Sequence, residues 1–88
     1  MHAVLVSVTI NNPEEAVNYL RSDIVPRVSQ SPGFVAGYWY GDGQTKGAAT
    51  IVFESEDNAR AAAGQIQQAP GEAVTLDSVD VGEVVESA

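Results

Sequence analysis

The feature that most constrains the fold is a run of aromatic and β-branched residues between two turn signals. The stretch Ser31 to Tyr40 is Ser-Pro-Gly-Phe-Val-Ala-Gly-Tyr-Trp-Tyr, and it contains the chain's single Trp, two of its three Tyr and one of its two Phe. Such residues favour a half-buried pleated surface, whereas Pro32-Gly33 and Gly41-Asp42-Gly43 are typical of turns. The run therefore predicts a central β-strand.

A strand and a helix are predicted before this run. Apolar residues alternate with others from His2 to Ile10, which predicts a first strand with one apolar face. Asn12-Pro13-Glu14-Glu15 is typical of a helix start, with an N-cap, a proline at the first position and acidic residues in the first turn. Pro26 predicts a kink near Ile24, and Ser29 to Gly33 is expected to end the helix.

Three more elements are predicted after the run. Gly41 to Lys46 has the composition and length of a hairpin loop, and Ala48 to Glu54 is predicted to return as a third strand. Ser55 is the expected N-cap of a second helix that extends to Gln68, before Pro70-Gly71. Val74 to Val85 predicts a last strand, whose poor alternation indicates a bulge or an edge position.

The hairpin loop sets a register for the second and third strands. If the loop is Gly41 to Lys46, Tyr40 lies opposite Gly47, and Phe34 lies opposite Phe53. Directly opposed residues of antiparallel strands share a face of the sheet. One face is then predicted to carry Phe34, Ala36, Tyr38, Tyr40, Ile51 and Phe53, and the other Val35, Gly37, Trp39, Ala48, Thr50 and Val52.

The order of the elements predicts the fold class. Strand, helix, strand, strand, helix, strand is the split βαβ, or ferredoxin-like, α+β arrangement, in which both helices cover one face of a four-stranded antiparallel sheet. We expect residues 1–88 to form one such domain. The uncovered face is predicted to be apolar, and we expect it to meet a second copy of the chain in a homodimer. Its predicted contact residues are Leu5, Val35, Trp39 and Val52, with Trp39 as the anchor.

Composition excludes several classes of partner. The net charge is -8 with only four Lys and Arg, so the surface repels nucleic acid and anionic membranes. No apolar run approaches the length of a membrane span, and no signal peptide is evident at the N-terminus. The chain has no Cys, which excludes disulfides and Cys-based metal sites and favours a cytoplasmic location. The acidic residues lack the spacing of a metal-binding loop, so no metal site is predicted.

Five stretches together carry a resemblance to a known family. They are Ala3 to Ile10, Asn12 to Glu15, Val25-Pro26-Arg27, Ser31-Pro32-Gly33-Phe34, and Val52-Phe53-Glu54-Ser55 with Asp57-Asn58-Ala59 after it. On these residues the chain resembles the dimeric α+β barrel superfamily, and within it the small antibiotic biosynthesis monooxygenase-like proteins. The motifs are structural, so they say more about fold than about catalysis.

The resemblance implies a barrel made from two sheets and a cleft between each sheet and its own helices. Some members of the superfamily oxidise aromatic polyketides there without a metal or prosthetic group, whereas others degrade haem or isomerise lactones. The haem-degrading members have an Asn in the first strand, a Trp at the end of the third and a His in the second helix. This chain has Val6-Ser7 and Phe53 at the first two places and no His in its second helix, so no cofactor is expected.

The polar residues expected in such a cleft are His2, Tyr38 and Tyr40, which could hydrogen-bond a substrate hydroxyl or accept its proton. The expected ligand contacts are Phe34, Ile51, Phe53 and Arg27. A structural role explains the same residues more simply, since strand-end Tyr rings are often buried with a solvated hydroxyl. Two functions therefore stay open: a cofactor-independent monooxygenase or isomerase acting on a small aromatic molecule, and a non-catalytic dimer that binds a small ligand or acts as a scaffold.

Overall fold

The computed structural model describes residues 1–42, 45–68 and 74–86. These residues form the strands β1 (His2–Ile10), β2 (Phe34–Gly41), β3 (Lys46–Phe53) and β4 (Val74–Glu83), and the helices α1 (Pro13–Tyr19), α2 (Val25–Ser29) and α3 (Glu56–Gln68), with a π-helical turn, Leu20–Ile24, between α1 and α2. The predicted ferredoxin-like order of elements is confirmed.

The four strands form one antiparallel sheet in the order β2-β3-β1-β4. The prediction that Ser31 to Tyr40 forms a central strand is wrong, because β2 pairs with β3 alone and lies at the edge of the sheet. The aromatic residues of β2 therefore indicate side-chain packing on the faces of the sheet. They do not indicate that the strand has a neighbour on both sides. No helix in the described part of the chain is long and apolar enough to cross a bilayer.

Both predicted helix starts are confirmed by their capping bonds. The Asn12 side-chain oxygen accepts the backbone N–H of Glu15 at 3.1 Å, and the Ser55 hydroxyl accepts that of Asn58 at 3.2 Å. Each bond satisfies one of the N–H groups that a helix leaves unpaired at its start. The predicted stop at Pro70-Gly71 lies outside the described residues.

The kink predicted near Ile24 coincides with the π-helical turn. There the backbone N–H of Val25 donates to the carbonyl of Leu20, five residues earlier. Pro26 follows, and it has no N–H to continue the regular helical pattern. The Ser22 hydroxyl also donates to the Asn18 carbonyl at 2.8 Å, a local bond that competes with regular helical pairing.

The hydrophobic core lies on one side of the sheet. Alternate residues of β1 and β3 supply it, which places all of them on the same face. We call this face the helix side and the opposite one the open face. The buried core residues are Val4, Val6, Ala49, Ile51 and Phe53 from the sheet, and Val28, Ala59, Ala62 and Ala63 from the helices. The prediction that both helices cover one face is therefore confirmed.

The register predicted between β2 and β3 is correct at its start and wrong beyond it. Phe34 lies opposite Phe53 as predicted, but the pairing then shifts and Ala36 lies opposite Val52. Val35 is thus an extra residue, a β-bulge, and one extra residue moves every later side chain of the strand to the other face.

The shift exchanges the predicted faces of the aromatic residues. Trp39 lies opposite Ala49 and packs against the core on the helix side, where Gly37 also lies. Tyr38 lies opposite Thr50 and therefore occupies the open face. Tyr40, Ala48 and Ala36 share that face. The predicted grouping of Tyr38 and Tyr40 with Phe34, and of Trp39 with Val52, is wrong.

A second bulge interrupts the pairing of β1 with β4. Ser7 lies opposite Ser78 and Val8 lies opposite Leu76, so Asp77 is the extra residue. Strand β4 also lies at an edge of the sheet. Both explanations offered for the poor alternation of this strand are therefore confirmed.

Candidate functional site

Aromatic side chains line the helix side of β2 and the adjacent end of β3. The Trp39 indole lies over Gly37, so closely that a Cβ at Gly37 would be 2.8 Å from the ring atoms Cη2 and Cζ3. The ring of Phe34 meets that of Phe53 edge to face, with centroids 6.2 Å apart and an interplanar angle of 76°. We call Phe34, Gly37, Trp39 and Phe53 the aromatic strip.

The members of the strip differ in burial. Phe53 is fully buried, as is its core neighbour Ile51, whereas Phe34 and Trp39 are partly exposed. Of the aromatic residues of the strip, only Phe34 and Trp39 therefore have surface that a ligand could contact. Phe53 and Ile51, which were predicted to contact a ligand, belong to the core and support the strip from behind.

The first helical segment covers the sheet unevenly. Helix α2 contributes the buried Val28, but neither α1 nor the π-helical turn contributes a fully buried side chain. Ile24 is partly buried against the core, and Val17 of α1 is 43% exposed. The segment is thus packed firmly at its C-terminal end and loosely at its N-terminal end.

His2 lies on the helix side at the end of β1, opposite Phe53 of β3 and Glu83 of β4. Its Nδ1 atom is buried and has no hydrogen-bond partner among the described residues. Glu56, at the start of α3, accepts hydrogen bonds from Arg60 at 2.9 and 2.6 Å. These bonds and the Arg60 charge lower the pKa of Glu56, and the charge of His2 contributes in the same direction.

His2, Tyr38 and Tyr40 are not brought together. His2 is on the helix side, whereas both tyrosines are on the open face. Tyr40 lies in register with Ser7 through Ala48, five residues along β1 from His2, which corresponds to about 17 Å. Because the sheet itself separates His2 from the two tyrosines, the three residues of one chain cannot act on one small molecule.

The two tyrosines are highly exposed. Tyr38 is 65% and Tyr40 is 59% exposed, and the Tyr40 hydroxyl lies 3.2 Å from the Thr50 hydroxyl. Leu5, also on the open face, is 46% exposed. Of the other residues predicted to contact a second copy, Val52 shares this face, the bulged Val35 is 46% exposed, and Trp39 lies on the helix side.

Arg27 is engaged within its own helix. Its Nη2 donates to both carboxylate oxygens of Asp23, at 2.9 and 2.7 Å, although the side chain is 58% exposed. A ligand carboxylate would have to compete with that of Asp23. Among the residues that the structure describes, no cluster of His, Asp and Glu is arranged to hold a metal ion.

A depression of about 400 Å³ lies at the hairpin end of the open face. Sequence reasoning missed it, because it depends on the β4 bulge and on pairing between distant strands. The poor alternation around Asp77 was the one sequence feature that indicated the bulge beside this depression. Its lining includes Ser7, Tyr40, Gly41, Lys46, Gly47, Ala48 and Asp77.

Comparison with known proteins gives structural neighbours. No family profile and no curated protein matches the sequence. HapK from Hahella chejuensis superposes with a TM-score of 0.71 at 13% identity, covering 100% of this chain and 96% of HapK. A monooxygenase from the gene ActVA-Orf6 of Streptomyces coelicolor, in complex with Nanaomycin D, gives 0.59 at 14% identity, with coverages of 98% and 92%.

The heme-degrader MhuD from Mycobacterium tuberculosis, solved with two hemes in its active site, gives a TM-score of 0.56 at 22% identity, covering 97% of this chain and 98% of MhuD. At these identities the similarity concerns the fold and not the chemistry. The resemblance found in the sequence is therefore confirmed at the level of the fold: the chain shares the ferredoxin-like α+β fold of these three proteins.

Proposed function

We propose that the protein is a homodimer that binds a small planar aromatic molecule on the helix side of its sheet and oxidises it without a cofactor. The observation that carries this proposal is the aromatic strip, whose partly exposed Trp39 and Phe34 lie on the side covered loosely by α1. Aromatic side chains stack on planar ligands, and ligand sites in proteins are mostly apolar with few polar groups. The fold shared with a monooxygenase that holds Nanaomycin D supports the same choice.

Oxidation of this kind needs no protein-bound electron carrier, because the substrate supplies the electrons. A methylene group between aromatic rings loses two hydrogens and gains one oxygen atom of dioxygen to become a carbonyl, and the second oxygen atom leaves as water. The step begins when a base removes a proton from carbon. We assign that role to His2, the chain's single His, because its buried Nδ1 lies at the Phe53 end of the strip.

The proposal predicts oxidation of anthrone, a planar ketone with such a methylene group, by protein prepared without added metal or cofactor. One dioxygen should be consumed per anthrone, as measured with an oxygen electrode and by absorbance of the product. His2→Gln should lower kcat about a hundredfold or more, because it removes the base. Trp39→Leu should mainly raise KM, and anthrone should quench Trp39 fluorescence.

Tyr38→Phe is the matched control, since Tyr38 lies on the open face. It should leave both kinetic parameters unchanged. If Tyr38→Phe reduced kcat as much as His2→Gln, or if His2→Gln had no effect, the assignment of the base to the helix side would be wrong.

A second candidate function is a non-catalytic dimer that binds a small ligand or acts as a scaffold. It is favoured by the close packing behind the strip, where Phe53, Ile51 and Val4 are fully buried. Quenching of Trp39 by anthrone without oxygen uptake would favour this function over the enzyme.

The homodimer is proposed from the open face. Leu5, Val35 and Tyr38 expose apolar surface there or at its edge, and no helix of the described chain covers it. Exposed apolar patches of this kind are typical of protein interfaces, and a two-fold axis lets the same patch serve both copies. The earlier assignment of Trp39 as the anchor is replaced by Leu5 and Tyr38, because Trp39 packs on the helix side.

A further inference from the structure

The hairpin end of the open face differs chemically from the rest of that face. Polar side chains gather there around the depression of about 400 Å³. We call Ser7, Thr9, Tyr40, Lys46 and Asp77 the polar end. It lies on the opposite side of the sheet from the aromatic strip, so the chemistry proposed for the strip makes no use of it.

The β4 bulge brings a carboxylate to this end. Asp77, the extra residue of the bulge, accepts a hydrogen bond from the Thr9 hydroxyl at 2.8 Å. The Lys46 ammonium donates to the same hydroxyl at 3.1 Å and lies 3.7 Å from the Asp77 carboxylate. Bulges often re-aim a side chain beside a functional site. The three residues form a linked group in which the charges of Lys46 and Asp77 offset each other, and these two residues line the depression.

The charges at the polar end determine which ligand fits. Lys46 is the one Lys or Arg outside the helical segments, and all four Lys and Arg of the chain are described. An anion would have to compete with Asp77 for Lys46, and it would be repelled by Asp42, which also lines the depression, and by the net charge of -8. A lysine ammonium has three N–H donors, and Thr9 uses one of them. A neutral carbonyl oxygen accepts a remaining donor and leaves the Lys46–Asp77 pair intact.

The residues that line the depression favour a planar aromatic molecule. Its wall includes Tyr40, which is 59% exposed, and its floor includes Gly41, Gly47 and Ala48, which offer at most a methyl group. Planar aromatic molecules stack on tyrosine rings. A volume of about 400 Å³ is within the usual range for a small-molecule site.

We propose that the polar end is a second binding site, and that it takes a small neutral planar aromatic molecule with a carbonyl acceptor. Tyr40 stacks on its rings, and Lys46, held in place by Thr9 and Asp77, donates to its carbonyl oxygen. The site lies apart from the aromatic strip, so it stands whether or not the strip is catalytic.

Fluorenone is a suitable probe, because it is neutral, planar and has one carbonyl group. Titrated into the full chain and followed by amide NMR, it should shift the signals of Ser7, Gly47 and Ala48 in a saturable way. Fluorene, which lacks the carbonyl, should bind about tenfold more weakly, as should fluorenone to Lys46→Met, since each loses one charge-assisted hydrogen bond.

The matched control is Arg21→Met, which makes the same change of charge in the π-helical turn. It should leave the affinity for fluorenone unchanged. Equal weakening by Lys46→Met and Arg21→Met, equal affinities for fluorene and fluorenone, or no saturable shift would overturn the proposal. Shifts confined to Phe34 and Trp39 would overturn it too, while supporting a ligand site at the aromatic strip.

Discussion

Gly33→Ala should destabilise the protein by about 2 to 4 kcal/mol. Gly33 has a φ of +78°, which is left-handed backbone that an L-residue with a Cβ adopts only at a cost. The added Cβ would also overlap the side-chain amide of Asn58 on α3. Because the Gly33 carbonyl accepts the backbone N–H of Glu54 at 2.8 Å, this turn cannot move away freely.

Urea unfolding measures the effect, and two variants separate its causes. Gly64→Ala is the control, since nothing lies within 4 Å of a Cβ there; in helix α3 it should stabilise by about 0.5 to 1 kcal/mol. The double variant Gly33→Ala with Asn58→Ala should regain the stability that is lost to the overlap, but it should still lack the stability that is lost to the positive φ. A Gly33→Ala variant as stable as the native chain would contradict the turn described here.

Phe53→Ala should cost about 3 to 5 kcal/mol, the largest effect expected of a single substitution in this chain. Phe53 is fully buried, contacts Phe34 edge to face and lies opposite both His2 and Phe34. Its removal leaves a cavity between the sheet and α3 that small alanine side chains cannot fill. A domain of this size has little stability to lose, so the variant should be largely unfolded at physiological temperature.

The control for this substitution is Val17→Ala in α1, where the side chain is 43% exposed. It should change stability by at most about 0.5 kcal/mol, because little apolar surface is lost and Ala is a good helix former. Both variants are compared with the native chain at one protein concentration, since dimerisation shifts apparent stability. A Phe53→Ala variant within 1 kcal/mol of Val17→Ala would contradict the core assigned to the helix side.

Local signals in the sequence predicted the elements well, because their causes are local. Asn12 and Ser55 cap helices through bonds to residues only three positions away. Pro26 follows the irregular turn of the first helical segment. Gly33 has a positive φ, as expected for the glycine of the turn predicted at Pro32-Gly33. Alternation in β1 predicted its buried face correctly, since no bulge falls within that strand's core residues.

The faces of β2 could not be predicted in the same way. Val35 is bulged, and nothing in the composition of Phe34 to Ala36 distinguishes a bulge from regular pairing. A strict period of two then assigned every later side chain to the wrong face. One sequence feature does fit the observed arrangement: Gly37 precedes Trp39 by two residues, which leaves room for the indole on the same face.

This error explains the mistaken grouping of candidate site residues only in part, because the pairing of β1 with β3 also places Tyr40 about 17 Å along β1 from His2. With Tyr38 and Tyr40 on the helix side, His2 had two phenol neighbours; with the bulge, the helix side holds His2 and Trp39 while the tyrosines lie on the open face. The depression at the polar end depends on Lys46 and Asp77, which are 31 positions apart in sequence and meet only through β1. Such pairings between distant residues are not encoded in any short stretch of the chain.

The pairing of two open faces is tested most directly by sedimentation equilibrium at micromolar concentration. The native chain should have twice the 9.2 kDa mass of one chain. Leu5→Glu, which places a charge on the open face, should sediment with the mass of a monomer. Val17→Glu, at a similarly exposed apolar residue of α1, should sediment with the mass of a dimer. A native chain that sediments at 9.2 kDa would show that its open face is exposed to water and that the proposed dimer does not exist.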